Sequence, residues 1–270
     1  MGISAERNVL ITTGDGITLD ARILKVECSR AAILLVHGFG VDLHEEGTFD
    51  TLVERLADNC LSAMRFSFRG HGNSSGKQEE MTISGERLDL LAAYETMIKQ
   101  LNPPYVIIAA SFGAVSTLLE LVMLRPKPTC LVLWNPVLDI DSVFIHPTTP
   151  WGHQNFGQKA FDFAAHSGHA VVDGVFRAGH LLFKEMLLYP GNLGVRHLQG
   201  IPTLILHGTA DSYVPFASSK AVASLSNVWL VEISDSDHGF PEPDDEERAV
   251  SETVTWIDTL ISGTDSNGHE

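Results

Sequence analysis

The chain has 270 residues, of which 44% are hydrophobic and 19% charged, and its formal net charge is −16. This length and composition allow a single enzyme-sized domain with a substantial core and a large insertion. The acidic balance argues against nucleic acid as a partner, because no basic stripe is present to neutralise phosphates.

The cysteine spacing, the apolar runs and the N-terminus are used to predict where in the cell the protein is found. Cys28, Cys60 and Cys130 form no closely spaced pair, and we interpret them as small buried hydrophobic side chains. No apolar run approaches the ~18 residues that a membrane-spanning helix needs. The N-terminus shows no basic-then-apolar signal pattern, so we expect a cytoplasmic protein with no membrane span.

The elements of an α/β fold follow in chain order. A turn at Gly14-Asp15-Gly16 predicts an antiparallel hairpin, with strands over 8–13 and 17–26. Strands and helical patterns then alternate, which is typical of parallel βαβ units. Helical periodicity is clear over 82–101 and 246–262, and further strands are predicted over 32–37, 61–68, 105–110, 129–134, 203–207 and 228–233.

Ser111 stands between an apolar run and a helical pattern. Ala109 and Gly113 lie two positions away on either side, and their small size suits a sharp strand-to-helix turn. Such a turn exposes a serine Oγ above a helix N-terminus, where it can act as a nucleophile. The usual pattern has glycine at both flanking positions, so Ala109 is a departure.

Two further strand ends carry side chains that would activate this serine. Asp211 follows one predicted strand and His238 lies in the loop after the next. The carboxyl ends of parallel strands meet at one edge of the sheet, which is where such folds bind ligands. His238 would take the Ser111 proton, and Asp211 would hold the ring tautomer and stabilise the imidazolium. Asp139, at another strand end, is the alternative acid.

A His37-Gly38 turn follows the strand predicted over 32–37. The backbone N–H of Phe39 can point at a developing oxyanion there, together with the backbone N–H of Phe112. The sequence thus predicts a nucleophile, a base, an acid and an oxyanion hole.

These four pieces, in this order, resemble the α/β-hydrolase superfamily over nearly the whole chain. The segment 66–76 is similar to the D-x-R-G-H-G-x-S loop of esterases and acylglycerol lipases, with Ser67 in place of the usual aspartate. The resemblance implies a mostly parallel central sheet with helices on both faces and an inserted helical cap. We expect core over 1–138, cap over 139–199 and core again over 200–270.

The predicted cap is rich in aromatic residues and shows no clear strand. Placed above the strand ends, it would roof the site with apolar surface. About half of its aromatic side chains are expected to pack on the core instead. The candidates for substrate contact are Trp151, Phe156, Phe176 and Phe183.

The histidines other than His238 are not expected to do chemistry. Those of the cap are irregularly spaced and have no cysteine or paired carboxylate beside them, so no metal site is expected. His37, His71 and His207 precede glycines at strand ends and are expected to brace loops. No cofactor is expected either.

The predicted site performs acyl chemistry on a small-molecule acyl substrate. The first hypothesis is a serine hydrolase of a carboxylic ester or thioester with an apolar or aromatic acyl group, similar to feruloyl-esterase and acylglycerol-lipase relatives. Ala109 also makes the turn similar to that of the luminescence acyl-transferase family. An acyltransferase or carrier thioesterase is therefore the alternative, with an acyl carrier as partner and Arg177, Lys184 and Arg196 as its basic patch. A catalytically silent ligand-binding protein is the third hypothesis.

Overall fold

The computed structural model describes residues 5–189, 191–198 and 200–265. Its central sheet has eight strands in the order β1-β2-β4-β3-β5-β6-β9-β10. The pairs β1–β2 and β2–β4 are antiparallel, and all other neighbours are parallel. The strands are β1 (Arg7–Thr12), β2 (Thr18–Leu24), β3 (Ala32–Val36), β4 (Ser62–Phe66), β5 (Tyr105–Ala110), β6 (Cys130–Trp134), β9 (Thr203–Gly208) and β10 (Val228–Ile233).

Helices connect these strands and cover both faces of the sheet. The helices are α1 (Thr48–Asp58), α2 (Ile83–Gln100), α3 (Gly113–Glu120), α4 (Pro150–Asn155), α5 (Gln158–Ser167), α6 (His180–Met186), α7 (Leu193–His197), α8 (Phe216–Val222) and α9 (Pro243–Asp265). None of the described helices combines the length and the apolar character that a bilayer crossing requires.

The inner strands are apolar on both faces because both faces are covered. Every residue of β3 and β5 is buried. Leu34 and Ile107 belong to the core on one side of the sheet, and Ile33 and Val106 belong to the core on the other. Continuous β-branched and leucine-rich runs of this kind are what a doubly covered parallel sheet requires.

The predicted α/β-hydrolase fold and the predicted elements of the core are confirmed. The hairpin forms β1 and β2, and the last helix extends beyond its predicted bounds, to Pro243–Asp265. Asp244, Asp245 and Glu246 lie in its first turn, where carboxylates interact favourably with the helix dipole. Of the predicted core and cap portions, residues 1–4, 266–270, Pro190 and Gln199 lie outside the described residues, and the domain boundaries stay a prediction.

The segment between β6 and β9, residues 139–198 and here called the inserted segment, is not purely helical. The expectation that it holds no strand is wrong, because β7 (His169–Val172) and β8 (Phe176–Gly179) form an antiparallel hairpin. The connecting turn contains Asp173 and Gly174, both at positive φ. An Asp-Gly turn between short apolar strands is a recognised hairpin signal.

Two of the three cysteines are joined. The interpretation of Cys28 and Cys60 as buried hydrophobic side chains is wrong, since they form a disulfide with a Cα–Cα distance of 5.4 Å. Cys130 is buried and free, as expected. The bond ties the loop before β3 to the end of α1, near the edge of the sheet. Disulfides are typical of oxidising compartments, so the cytoplasmic location stays a prediction.

We expect this disulfide to contribute about 3–4 kcal/mol to the free energy of unfolding, because it closes a loop between residues 32 positions apart. The double variant Cys28→Ser, Cys60→Ser should unfold at correspondingly lower denaturant concentration. Dithiothreitol should lower the midpoint of the wild type to that of the variant and leave the variant unchanged. Equal midpoints for wild type and variant without reductant would contradict the bond.

Candidate active site

Ser111 lies in the sharp turn between β5 and α3. Its φ is +47°, a left-handed conformation that is costly for a residue with a Cβ. The turn also brings Gly113 so close to the end of β3 that a Cβ there would lie 2.4 Å from the carbonyl oxygen of His37. The glycine predicted at this position is therefore required by packing, and the serine hydroxyl is held at the sheet edge.

His238 reaches Ser111 from the loop after β10. Its Nε2 is 3.0 Å from Ser111 Oγ, and its Nδ1 is 2.8 Å from Asp211 Oδ2. The structure thus brings together the three residues that the sequence singled out from three separate strand ends. Asp139 does not take part: within the described chain its carboxylate accepts a hydrogen bond from the Asp141 N–H and contacts neither partner.

The Asp211 carboxylate is held ionised by a dense set of donors. Its Oδ1 accepts hydrogen bonds from the backbone N–H groups of Tyr213 and Val214, both at 2.8 Å. His207 Nε2 lies 3.1 Å from Oδ2, the same oxygen that His238 Nδ1 contacts. Burial alone would raise the pKa of Asp211, but the charge of His238 and the hydrogen bonds from both imidazoles hold the pKa well below its usual range.

The contact with Asp211 also shifts the pKa of His238. Burial would lower the pKa of His238, but the charge and hydrogen bond of Asp211 outweigh it, and the pKa is raised above its usual value. A more basic imidazole is better able to take a proton from a serine hydroxyl. Asp211 also fixes the tautomer that leaves Nε2 facing Ser111.

Two backbone amides beside Ser111 have no acceptor. Among the described residues, neither the Phe39 N–H nor the Phe112 N–H donates a hydrogen bond to the protein. The backbone at Gly38 packs closely against Ser111, since a Cβ on Gly38 would lie 3.1 Å from Ser111 Cβ. The N–H of the next residue, Phe39, is therefore held close to the serine. Free donors of this kind can stabilise an oxyanion that forms on the serine.

A cavity of about 250 Å³, here called the apolar cavity, opens beside Ser111 and His238 under the inserted segment. Two of the four predicted contact residues, Trp151 and Phe176, line it. Phe156 and Phe183 do not line it, because their rings pack against each other at 5.8 Å behind its wall. The sequence analysis missed other members of the wall, among them Phe39, Val137, Phe144, Val175 and Tyr213.

An aromatic stack connects His238 to the inserted segment. The Tyr213 ring lies parallel to the His238 imidazole at 4.8 Å, and Trp151 stacks on Tyr213 at 5.0 Å. Asp173, in the β7–β8 turn, accepts a hydrogen bond from the Trp151 indole N–H. The face of the imidazole is therefore covered by aromatic surface, while its edge faces the serine.

The other histidines brace loops, as predicted. His37 Nε2 accepts a hydrogen bond from the Phe68 N–H and its Nδ1 donates to the Gly38 carbonyl oxygen. His71 stacks on Phe176 at 5.0 Å, and burial lowers its pKa to about 4. Within the described ranges, no group of three or more His, Cys, Asp or Glu side chains is arranged to hold a metal ion.

Glu45 is a site residue that the sequence analysis missed. Its Oε2 accepts a hydrogen bond from the Gly38 N–H at 2.7 Å, and a Cβ on Gly38 would lie 3.2 Å from its Oε1. Burial raises the pKa of Glu45 to about 7, against the effects of the Gly38 N–H and His238. The charges of Glu46 and Asp42 raise it further. A loop of acidic residues between Gly40 and α1 gave no periodic signal that would have marked it.

We expect Glu45 to lower the free energy of unfolding above about pH 4.5. The pKa of Glu45 is about 4.5 in the unfolded chain and about 7 in the folded protein. Between these pH values the unfolded chain has lost the proton that the folded protein still binds, so the free energy of unfolding falls as the pH rises from about 4.5 to about 7. Glu45→Gln removes this ionisation. The free energy of unfolding of this variant at pH 8 should exceed that of the wild type by about 3 kcal/mol, and the two values should converge at pH 4.

Chemical denaturation of both proteins across this pH range measures the difference. Glu54→Gln is the matched control, since it removes the same charge from an exposed position of α1. A gain that is the same at pH 4 and pH 8, or that Glu54→Gln reproduces, would contradict the assignment.

The sequence and the fold were compared with known proteins. No curated protein matches the sequence. Among solved structures, ferulic-acid-bound Est1E from Butyrivibrio proteoclasticus superposes with a TM-score of 0.76 at 20% identity, over 94% of this chain and 99% of its own. Mouse alpha/beta hydrolase domain-containing protein 10 superposes with a TM-score of 0.72 at 18% identity, over 94% of this chain and 99% of its own.

The Pyrococcus furiosus esterase Pf2001 gives a TM-score of 0.69 at 18% identity, over 96% of this chain and 92% of its own. At such identities these likenesses show a shared fold. The profile of the alpha/beta hydrolase family matches residues 33–253, which is most of the sequence. This chain belongs to the alpha/beta hydrolase family.

Proposed function

We propose that this protein is a serine hydrolase that cleaves a carboxylic ester of a small apolar or aromatic acid through an acyl-enzyme intermediate. The observation that carries the proposal is the hydrogen-bonded series from Asp211 through His238 to Ser111 beside two free backbone amides. A nucleophile, a base, an orienting acid and an oxyanion hole together define acyl-transfer chemistry.

In the first half-reaction, Ser111 Oγ attacks the ester carbon and its proton passes to His238 Nε2. The carbonyl oxygen becomes an oxyanion that accepts hydrogen bonds from the Phe39 and Phe112 amides. The tetrahedral intermediate collapses, His238 returns the proton to the leaving alcohol, and the acyl group stays on Ser111. Asp211 stabilises the imidazolium throughout.

The apolar cavity is the site that we assign to the acyl group. It adjoins Ser111 and its wall includes Phe39, Phe112, Phe144 and Phe176. A volume of about 250 Å³ is slightly below the range of ligand pockets for drug-sized molecules, which suits a short acyl chain or a single aromatic ring. Ferulic acid, the aromatic acid bound to the structurally similar Est1E, is a ligand of this kind.

The alternatives fit the site less well. A silent binding protein has no need of an intact series of nucleophile, base and acid held in hydrogen-bond contact. An acyl carrier or coenzyme A thioester would bring phosphate charge to a cavity whose wall contains Glu45, Glu46 and Asp173 and no described lysine or arginine. Arg177, proposed as part of a basic patch, forms an ion pair with Glu79.

We expect Ser111→Ala to lower the turnover of p-nitrophenyl butyrate and of methyl ferulate by at least about 10³-fold, because the nucleophile is lost. A fluorophosphonate probe should add its mass to the wild type and not to the variant. Ser251→Ala, on the exposed surface of α9, is the control and should behave as wild type. Labelling or turnover that persists in Ser111→Ala would exclude the mechanism.

We expect the enzyme to discriminate against anionic thioesters. At 20 mM salt, kcat/KM for butyryl-coenzyme A should be at least about tenfold below that for the uncharged N-acetylcysteamine thioester of the same acid, because the cavity wall and the net charge repel phosphate. The gap should narrow at 500 mM salt, since salt screens the repulsion. A preference for butyryl-coenzyme A at low salt would instead support the carrier-thioester alternative.

A further inference from the structure

A second, much smaller hollow adjoins Ser111 and His238. Its volume is about 30 Å³, and besides Ser111 and His238 its lining includes the polar side chains of Glu45, Glu46, Thr48 and Asn135; we call it the polar recess. A hollow of this volume can hold a water molecule. The polar recess is much smaller than the apolar cavity, and it suits a water molecule next to Ser111.

The polar recess offers hydrogen-bonding atoms that the protein itself does not use. Asn135 is only 2% exposed, and its Oδ1 accepts a hydrogen bond from the Gly208 N–H at 2.9 Å. This contact fixes the amide orientation, and within the described chain Nδ2 donates to no acceptor. Glu45 Oε1 and Thr48 Oγ1 likewise have no described partner, since only Oε2 of Glu45 binds Gly38.

Two of these atoms can hold one water and leave its other lone pair free to attack. Glu45 Oε1 accepts one of its hydrogens, and Asn135 Nδ2 donates to one lone pair. Two to four polar partners are what a buried water in proteins requires. The second hydrogen of the water remains available to His238, which also lines the polar recess.

Backbone strain is concentrated around the polar recess. Of the eight described non-glycine residues with positive φ, five line it: Glu45, Glu46, Ser111, Asn135 and Phe240. Such conformations cost free energy and persist where surrounding structure over-determines them, most often at functional sites. Ser111, Glu45 and Asn135 all adopt such a conformation, and all three line the polar recess.

We propose that the polar recess binds the water that hydrolyses the acyl-enzyme, with Glu45 and Asn135 as positioning residues. The inference rests on the proposed function. The water oxygen bonds to the acyl carbon while one of its protons passes to His238 Nε2. The Ser111 Oγ–carbon bond then breaks, Oγ takes the proton back from Nε2, and the carboxylic acid leaves.

The charge state of Glu45 suits this role at pH 8. Its pKa is raised to about 7 by burial, so the carboxylate is ionised there and Oε1 is a strong acceptor. Glu46, Asp42 and His238 are the titratable groups that act on it.

The test separates acylation from deacylation by stopped-flow measurement with p-nitrophenyl butyrate at pH 8. The variants are Glu45→Gln and Asn135→Asp, which keep the acceptors for the Gly38 and Gly208 amides, with Glu54→Gln as control. We expect both to slow deacylation about tenfold or more and to change acylation less than threefold, because a displaced water affects only the second step. Intact-protein mass spectrometry should show acylated Ser111 accumulating during turnover.

A second readout is the competition between water and added methanol for the acyl-enzyme. Methanol need not occupy the polar recess, so the ratio of methyl butyrate to butyric acid should rise about tenfold in both variants. Equal slowing of both steps, or an unchanged product ratio, would overturn the inference and leave the proposed function intact. Absence of both burst and turnover in the wild type would overturn the proposed function and, with it, this inference.

Discussion

The close approach of three backbone segments at the carboxyl edge of the sheet is the constraint on which the site depends. Gly113 lets α3 begin directly against the His37 carbonyl, and Gly208 lets the end of β9 meet the loop that carries His238. A Cβ on Gly208 would lie 2.3 Å from the Ser236 carbonyl oxygen. Since the main chain sets these spacings, the hydrogen bonds among Ser111, His238 and Asp211 need little side-chain adjustment, which is the preorganisation that catalysis requires.

The pKa values of two carboxyl groups near His238 are shifted in opposite directions by their surroundings. Asp211 receives two backbone N–H groups and two imidazoles, and its pKa is lowered. Glu45 is buried, receives one backbone N–H and stands near other acids, and burial in particular raises its pKa. Divergent pKa values in paired titratable groups are a mark of divided roles. Asp211 is therefore ionised over a wide pH range, whereas Glu45 changes its charge near neutral pH.

The sequence predicted the fold and the triad geometry because both depend on local patterns repeated along the chain. Apolar runs marked the strands, and strand ends marked Ser111, Asp211 and His238. The Cys28–Cys60 pairing could not be predicted, since it depends on where two distant loops meet. The buried position of Glu45 could not be predicted either. It depends on a hydrogen bond from the Gly38 N–H, seven residues away, and a carboxylate in an acidic loop ordinarily faces solvent. The β7–β8 hairpin was missed because strands of four residues carry little periodicity.

The aromatic stack connects the inserted segment directly to His238. Tyr213 covers one face of His238, Trp151 covers Tyr213, and Asp173 holds the Trp151 indole from the hairpin turn. An aromatic face beside an imidazole stabilises the protonated ring, and the same residues form the wall of the apolar cavity. Substitutions that reshape this wall therefore also change the surroundings of His238. The shape of the apolar cavity and the environment of the imidazole depend on one set of side chains, so a substitution at Tyr213 or Trp151 affects both.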